Sequence, residues 1–157
     1  MSFDLFLQAF ESGGPAQVDR NKVVSVLRRH CPDTADDFGF YLVQFPDGSD
    51  VEFSAKGLES DSEFTGCAFH VRGFSPHIIG FIFDVAKIGG MVILNAQGAD
   101  TIVNPTTILT DQHQAAHVPS SLGKEAVLCS SPEHLAELLG TGFGNWKAYR
   151  DLIVGRN

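Results

Sequence analysis

The sequence predicts an α+β fold, a mostly antiparallel sheet with helices packed against it. Two observations carry this. Short runs of alternating apolar and polar residues recur between Ser2 and Asn95, the period of two that half-buried strands require. Between them lie two segments with helical apolar stripes, each opened by a capping residue, Asp19 and Ser75. With 157 residues, 43% of them hydrophobic, the chain has the length of one domain and the apolar mass for one core. We therefore expect a single domain over 1–157, with an α/β core at 1–103 and an irregular segment plus C-terminal helices at 104–157.

In Ser2–Phe10, residues Phe3, Leu5, Leu7 and Ala9 fall on one face and Phe6 and Phe10 on the other, so both faces of this strand are expected to be at least partly covered. After the Gly13-Gly14-Pro15 loop, Asp19 caps a helix over Arg20–His30 with a stripe of Val23, Val26 and Leu27, and Pro32 stops it. Phe38–Phe45, the turn Pro46–Ser49 and Asp50–Ala55 form a hairpin, its return strand alternating Val51 and Phe53 with acids. In the next strand, Glu63–Gly73, Cys67, Phe69 and Val71 share one face, and Ala68, His70 and Arg72 the other.

Ser75 followed by Pro76 is a helix start, and Gly89-Gly90 ends that helix before a strand at Met91–Asn95. Thr101–Val103 is expected as a short return strand, 104–124 as irregular chain, and Glu125–Cys129 as a last strand. Ser131-Pro132 opens a helix to Leu139, and Asn145–Val154 reads as a final helix with Trp146, Tyr149 and Leu152 in the core. The order β-α-β-β-β-α-β, with a two-helix extension, resembles a ferredoxin-like sandwich carrying an added strand. A larger mixed sheet with helices on both faces is the alternative.

Charge is localised. The net charge is −8, and 33–63 contains nine acids against one base, Lys56, so this segment accounts for all of it. A surface of that sign repels phosphate backbones, which argues against nucleic-acid binding and for a basic protein partner. Asp47, Asp50 and Glu52 on the hairpin are the candidate partner-binding residues. The plainer reading is a solvated hairpin kept soluble by its charge. Cys31, Cys67 and Cys129 are odd in number and lack Cys-x-x-Cys spacing, so reduced thiols are expected. The start of the chain has no basic, signal-like region, and its apolar stretches are interrupted by charges. A cytoplasmic protein with no membrane span is the expectation.

Candidate chemistry is sparse. His113 and His117 have the i, i+4 spacing that lets two imidazoles share one helix face and hold a metal, with Asp111 alongside as a weak third candidate. The Glu of a zinc-protease motif is missing and Pro119 shortens any helix, so no metal is expected. Ser75 occupies the strand-to-helix turn where a hydrolase nucleophile sits, yet Pro76 removes the N–H that would follow it in an oxyanion hole, and capping accounts for the serine. His70, Arg72 and His77, with Ser75, form the best candidate for a small ligand, because cations beside a helix N-terminus suit an anion. The competing expectation pairs Arg72 with an acid such as Asp84. Gly140-Thr-Gly142-Phe-Gly144 follows a helix and lacks the lysine of a phosphate loop, so it reads as a connector. No cofactor is expected.

The opening Met1-Ser-Phe-Asp-Leu-Phe-Leu-Gln8, followed by Phe10 and Gly13-Gly14-Pro15, resembles the start of a group of small bacterial proteins of unknown function. Gly89-Gly-Met-Val-Ile-Leu94 is similar to the same group. The resemblance implies a bacterial cytoplasmic protein and assigns no functional residue. The sequence is thus read first as a non-enzymatic acidic interaction module, of which an immunity-type or accessory protein is one form. The alternative is a small-molecule or anion-binding protein, or an enzyme, with a pocket near His70, Arg72 and His77.

Overall fold

Strand β1, Phe3–Gln8, runs through the interior of a seven-stranded sheet. The computed structural model describes residues 3–60, 63–95, 105–123 and 125–139. The expected elements at Thr101–Val103 and Asn145–Val154, and the Gly140–Gly144 connector, lie outside them. After β1 come a two-residue pair β2 (Phe10–Glu11) and β3 (Gly14–Pro15), helix α1 (Arg20–Arg28), the hairpin β4 (Phe40–Gln44) and β5 (Asp50–Ser54), and β6 (Gly66–Val71). Helix α2 (Pro76–Ile88) and β7 (Val92–Asn95) follow, then β8 (Thr107–Leu109), a 3-10 helix at Gln112–Ala116, α3 (Ser120–Gly123), β9 (Val127–Leu128) and α4 (Pro132–Leu139).

The strand order is β4-β5-β6-β1-β7-β8-β9, antiparallel throughout except for the parallel pair β8–β9. The class is α+β. The sheet is larger than the layer expected from sequence: α1 leads into the edge strand β4, and β8 and β9 extend the opposite side.

Local signals fix the ends of the helices. The Asp19 carboxylate accepts from the Asn21 amide at 3.2 Å, and the Ser75 hydroxyl accepts from the Ile78 amide at 3.2 Å. At the end of α2, Gly90 takes a φ of +64° and the Met91 amide returns to the Ala86 carbonyl at 2.8 Å, a Schellman closure that admits glycine readily.

The alternation of the strands builds its main core on one face. Leu5, Leu7, Tyr41, Val43, Val51, Phe53, Phe69, Val71 and Ile93 turn to the helices and are buried with the stripes of α1, α2 and α4. Phe81 of α2 meets Phe53 at 5.9 Å and Phe69 at 5.7 Å edge-on, while those two stack on each other at 4.8 Å. On the other face, Val92, Leu109 and Val118 form a small second cluster against which Phe10 and Leu94 pack. Over β4, β5, β6 and β1 that face stays open: Phe6 is 44% and Leu42 56% exposed. The second-face cover expected for the first strand is therefore found at Phe10 and not at Phe6. The segment expected to be irregular contains β8, the 3-10 helix and α3.

Candidate functional site

The register of the open face brings together residues that the sequence assigned to rival sites. Glu52 of β5 stands opposite His70 of β6, and His70 opposite Asp4 of β1. The His70 Nδ1 and Asp4 Oδ1 atoms lie 2.9 Å apart. One row beyond, Arg72 follows the end of β6 near Asp50, and a cleft of about 210 Å³ is lined by Leu42, Asp50, Glu52, His70 and Arg72. Two candidate partner-binding acids thus share a cleft with two candidate anion ligands. The carboxylates oppose a simple anion there, and the cleft suits a group bearing a cation or both charges.

Ser75 and His77 lie away from this cleft. β6 ends at Val71 and the chain bends before α2, which turns both residues toward the β4–β5 turn. Ser75 is buried, and its hydroxyl lies 2.9 Å from that of Ser49, which in turn bonds to the Asp47 carboxylate. The exposed ring of His77 stacks on Phe45 at 5.9 Å. Burial pushes the Asp47 carboxyl up, but the Ser49 hydroxyl and amide, with His77 nearby, outweigh it and hold Asp47 below its ordinary value. The predicted cluster of His70, Arg72 and His77 is therefore split. Asp84 faces Arg29 and His30 and does not pair with Arg72, which takes no hydrogen bond or ion pair among the described residues.

The pair His113 and His117 is placed by a 3-10 helix, whose three residues per turn set i and i+4 about 120° apart instead of on one face. Asp111 is occupied as its cap, accepting from the His113 amide at 2.9 Å, and His117 Nδ1 accepts from the Ser12 amide at 3.2 Å. No group of three metal-capable side chains occurs among the described residues. Cys31, Cys67 and Cys129 are free thiols.

A cluster beside the acidic hairpin had no advance signal beyond the position of Arg28 in the last turn of α1. The Tyr41 hydroxyl donates to Glu59 at 2.6 Å, and the other carboxylate oxygen of Glu59 pairs with Arg28. Arg28 also donates to the Cys31 and Asp33 carbonyls. Burial, then the bond to Glu59, pushes the Tyr41 hydroxyl up, while that bond, against burial and with help from Arg28, draws Glu59 down. A cavity of about 410 Å³ opens beside Tyr41 and Glu59. A second, of about 380 Å³, runs along β4 between Asp33 and Asp36 on one side and Leu42 and Glu52 on the other.

The acids of 33–63 thus divide. Asp36, Asp47 and Glu59 serve the local structure, whereas the carboxylates of Asp33, Asp50 and Glu52 take no hydrogen bond or ion pair among the described residues. No helix among the described residues is long and apolar enough to cross a membrane. No family model, curated protein or solved structure matches the chain.

Proposed function

We propose that the protein is an acidic interaction module of the bacterial cytoplasm that binds a basic protein partner through the hairpin β4–β5 and the sheet face beside it. One observation carries this reading: Asp33, Asp50 and Glu52, unengaged within the described structure, flank an exposed strand whose Leu42 stands out from the sheet. Apolar contact framed by unneutralised carboxylates is the chemistry that a lysine- or arginine-rich surface recognises. Ser75, at the strand-to-helix turn where a hydrolase nucleophile would sit, is buried and engaged in capping, which favours binding over catalysis.

The test is capture of basic proteins at low and high salt by the wild-type chain and by a D33K/D50K/E52K variant. Asp47 is left in place because it holds the turn. A partner lost both in high salt and with the variant supports the reading. Partners indifferent to the charge reversal count against it.

A second reading draws on the cleft of His70 and Arg72, where Asp50 and Glu52 stand opposite a guanidinium: a small zwitterion, its ammonium on the acids and its carboxylate on Arg72. Thermal-shift screening with amino acids and simple carboxylates separates this from the first, since a ligand of the native state raises the melting temperature.

A further inference from the structure

We infer that β4 is a docking edge, which takes an extended lysine- or arginine-bearing segment of the partner as an additional strand of the sheet. The inference rests on the basic-partner reading and specifies its mode.

β4 is the terminal strand of the sheet, with β5 as its one neighbour. Two bonds fix which of its backbone groups face β5: the Gly39 carbonyl accepts from Ala55 at 3.0 Å, and the Phe45 amide donates to Ser49 at 2.9 Å. In an antiparallel pair the groups of alternate residues turn the same way, so positions 39, 41, 43 and 45 face β5 and positions 40, 42 and 44 face outward. Phe40 bears this out. Its amide donates to the Asp36 carboxylate and its carbonyl accepts from the Asp36 amide, both at 3.0 Å, from the outer side.

The bend at 36–39 therefore covers the first outward position, and the second is met in part by Cys31. At Leu42 the carbonyl receives the Cys31 thiol at a long 3.6 Å. The Leu42 amide and both backbone groups of Gln44 have no partner among the described residues, and both residues are exposed. These groups form a template for strand addition.

The flanking chemistry selects the occupant. A residue seated opposite Leu42 points its side chain to the same face as Leu42, toward Glu52. A lysine there lays its methylenes on Leu42 and its ammonium by Glu52, with Asp33 and Asp36 across the cavity of about 380 Å³. A second copy of this chain is the wrong occupant, because pairing two β4 edges sets these carboxylates against their equals. The acids that guard the edge from self-association admit a basic strand.

The experiment uses a fluorescein-labelled octapeptide of alternating lysine and valine, and the same peptide with every backbone nitrogen methylated, at low salt. Fluorescence anisotropy is read on the wild-type chain and on Gln44→Pro, which deletes one outward N–H and leaves the charge unchanged. The unmethylated peptide should bind wild type about tenfold more tightly than Gln44→Pro, and the methylated peptide should bind both weakly and alike. On wild type, hydrogen exchange of the Leu42 and Gln44 amides should slow when the unmethylated peptide is added, a measurement independent of how the proline variant folds. Equal binding of the two peptides, or unchanged exchange at saturation, overturns strand addition and leaves the basic-partner reading standing. Binding of neither peptide overturns both.

Discussion

The hydroxyls of Ser49 and Ser75 lie 2.9 Å apart and tie the β4–β5 turn to the first turn of α2. Ser75 accepts from the Ile78 amide, so its own proton is directed to Ser49, and the Ser49 proton to Asp47. Each hydroxyl in this chain thus has both a donor and an acceptor to serve. Ser75→Ala leaves the buried Ile78 amide without its cap and should cost about 1–2 kcal/mol in urea unfolding. Ser49→Ala keeps the cap and should cost less. Equal losses would mean that the link between the turn and the helix, and not the cap, carries the stability.

Asp47 and Glu59 give the fold an acid limb. Both carboxyls are held below their ordinary values, Asp47 by Ser49 and His77 against its burial, Glu59 first by the Tyr41 hydroxyl. A carboxyl depressed in the folded state contributes stability that is present above its unfolded value and is lost as pH falls through its folded one. Asp47→Asn and Glu59→Gln should therefore destabilise the protein at about pH 6 and differ little from wild type at about pH 2. Chemical denaturation at both pH values checks this; a mutational cost that does not shrink in acid would assign these residues a role other than charge.

His30 acts in a different window. Its imidazole packs on Phe45 at 5.2 Å and Phe81 at 5.4 Å. Burial lowers its pKa, Asp84 opposes this, and His77 and Arg29 add to the lowering. A base depressed in the folded state costs stability once the unfolded chain begins to take up the proton, so stability should decline as pH falls below 6.5, the ordinary histidine value. His30→Phe keeps an aromatic ring between Phe45 and Phe81 and should flatten the decline between about pH 7 and 5. Thermal melts across that range read it directly. A slope unchanged in the variant would move the titration to another histidine.

How far the sequence could be read depends on the range of each signal. Ser75-Pro76 and Asp19 announce helix starts because capping is decided within four residues, and both caps form. The hairpin was legible for the same reason: its turn and alternation are local. The position of β1 between β6 and β7 was not, because it is set by pairing residues such as Leu5 and Phe69, far apart in the chain. In the 104–124 region, Asp111 and Gln114 do form a capping box, a local signal that was available and would have given Asp111 its role. The meeting of Asp50 and Glu52 with His70 and Arg72 follows from the β5–β6 register, and no spacing along the chain encodes it.

Two glycines should respond to alanine with opposite signs. A Cβ at Gly66, in β6, would lie 2.5 Å from the Leu7 carbonyl oxygen and 2.7 Å from the Gln8 side-chain oxygen. The Gln8 amide group is itself engaged, donating to the Ala9 and Thr65 carbonyls at 2.9 and 3.1 Å. The first contact is with backbone in the interior of the sheet, so relief requires β1 and β6 to part, at a cost of about 1–3 kcal/mol. Gly80, within α2, has nothing within 4 Å of the equivalent position. There alanine removes the conformational cost of a helical glycine and should stabilise the protein by up to about 1 kcal/mol. Unfolding curves of the two single variants test both signs, and a neutral Gly66→Ala would mean that β1 and β6 are not paired at the register seen here.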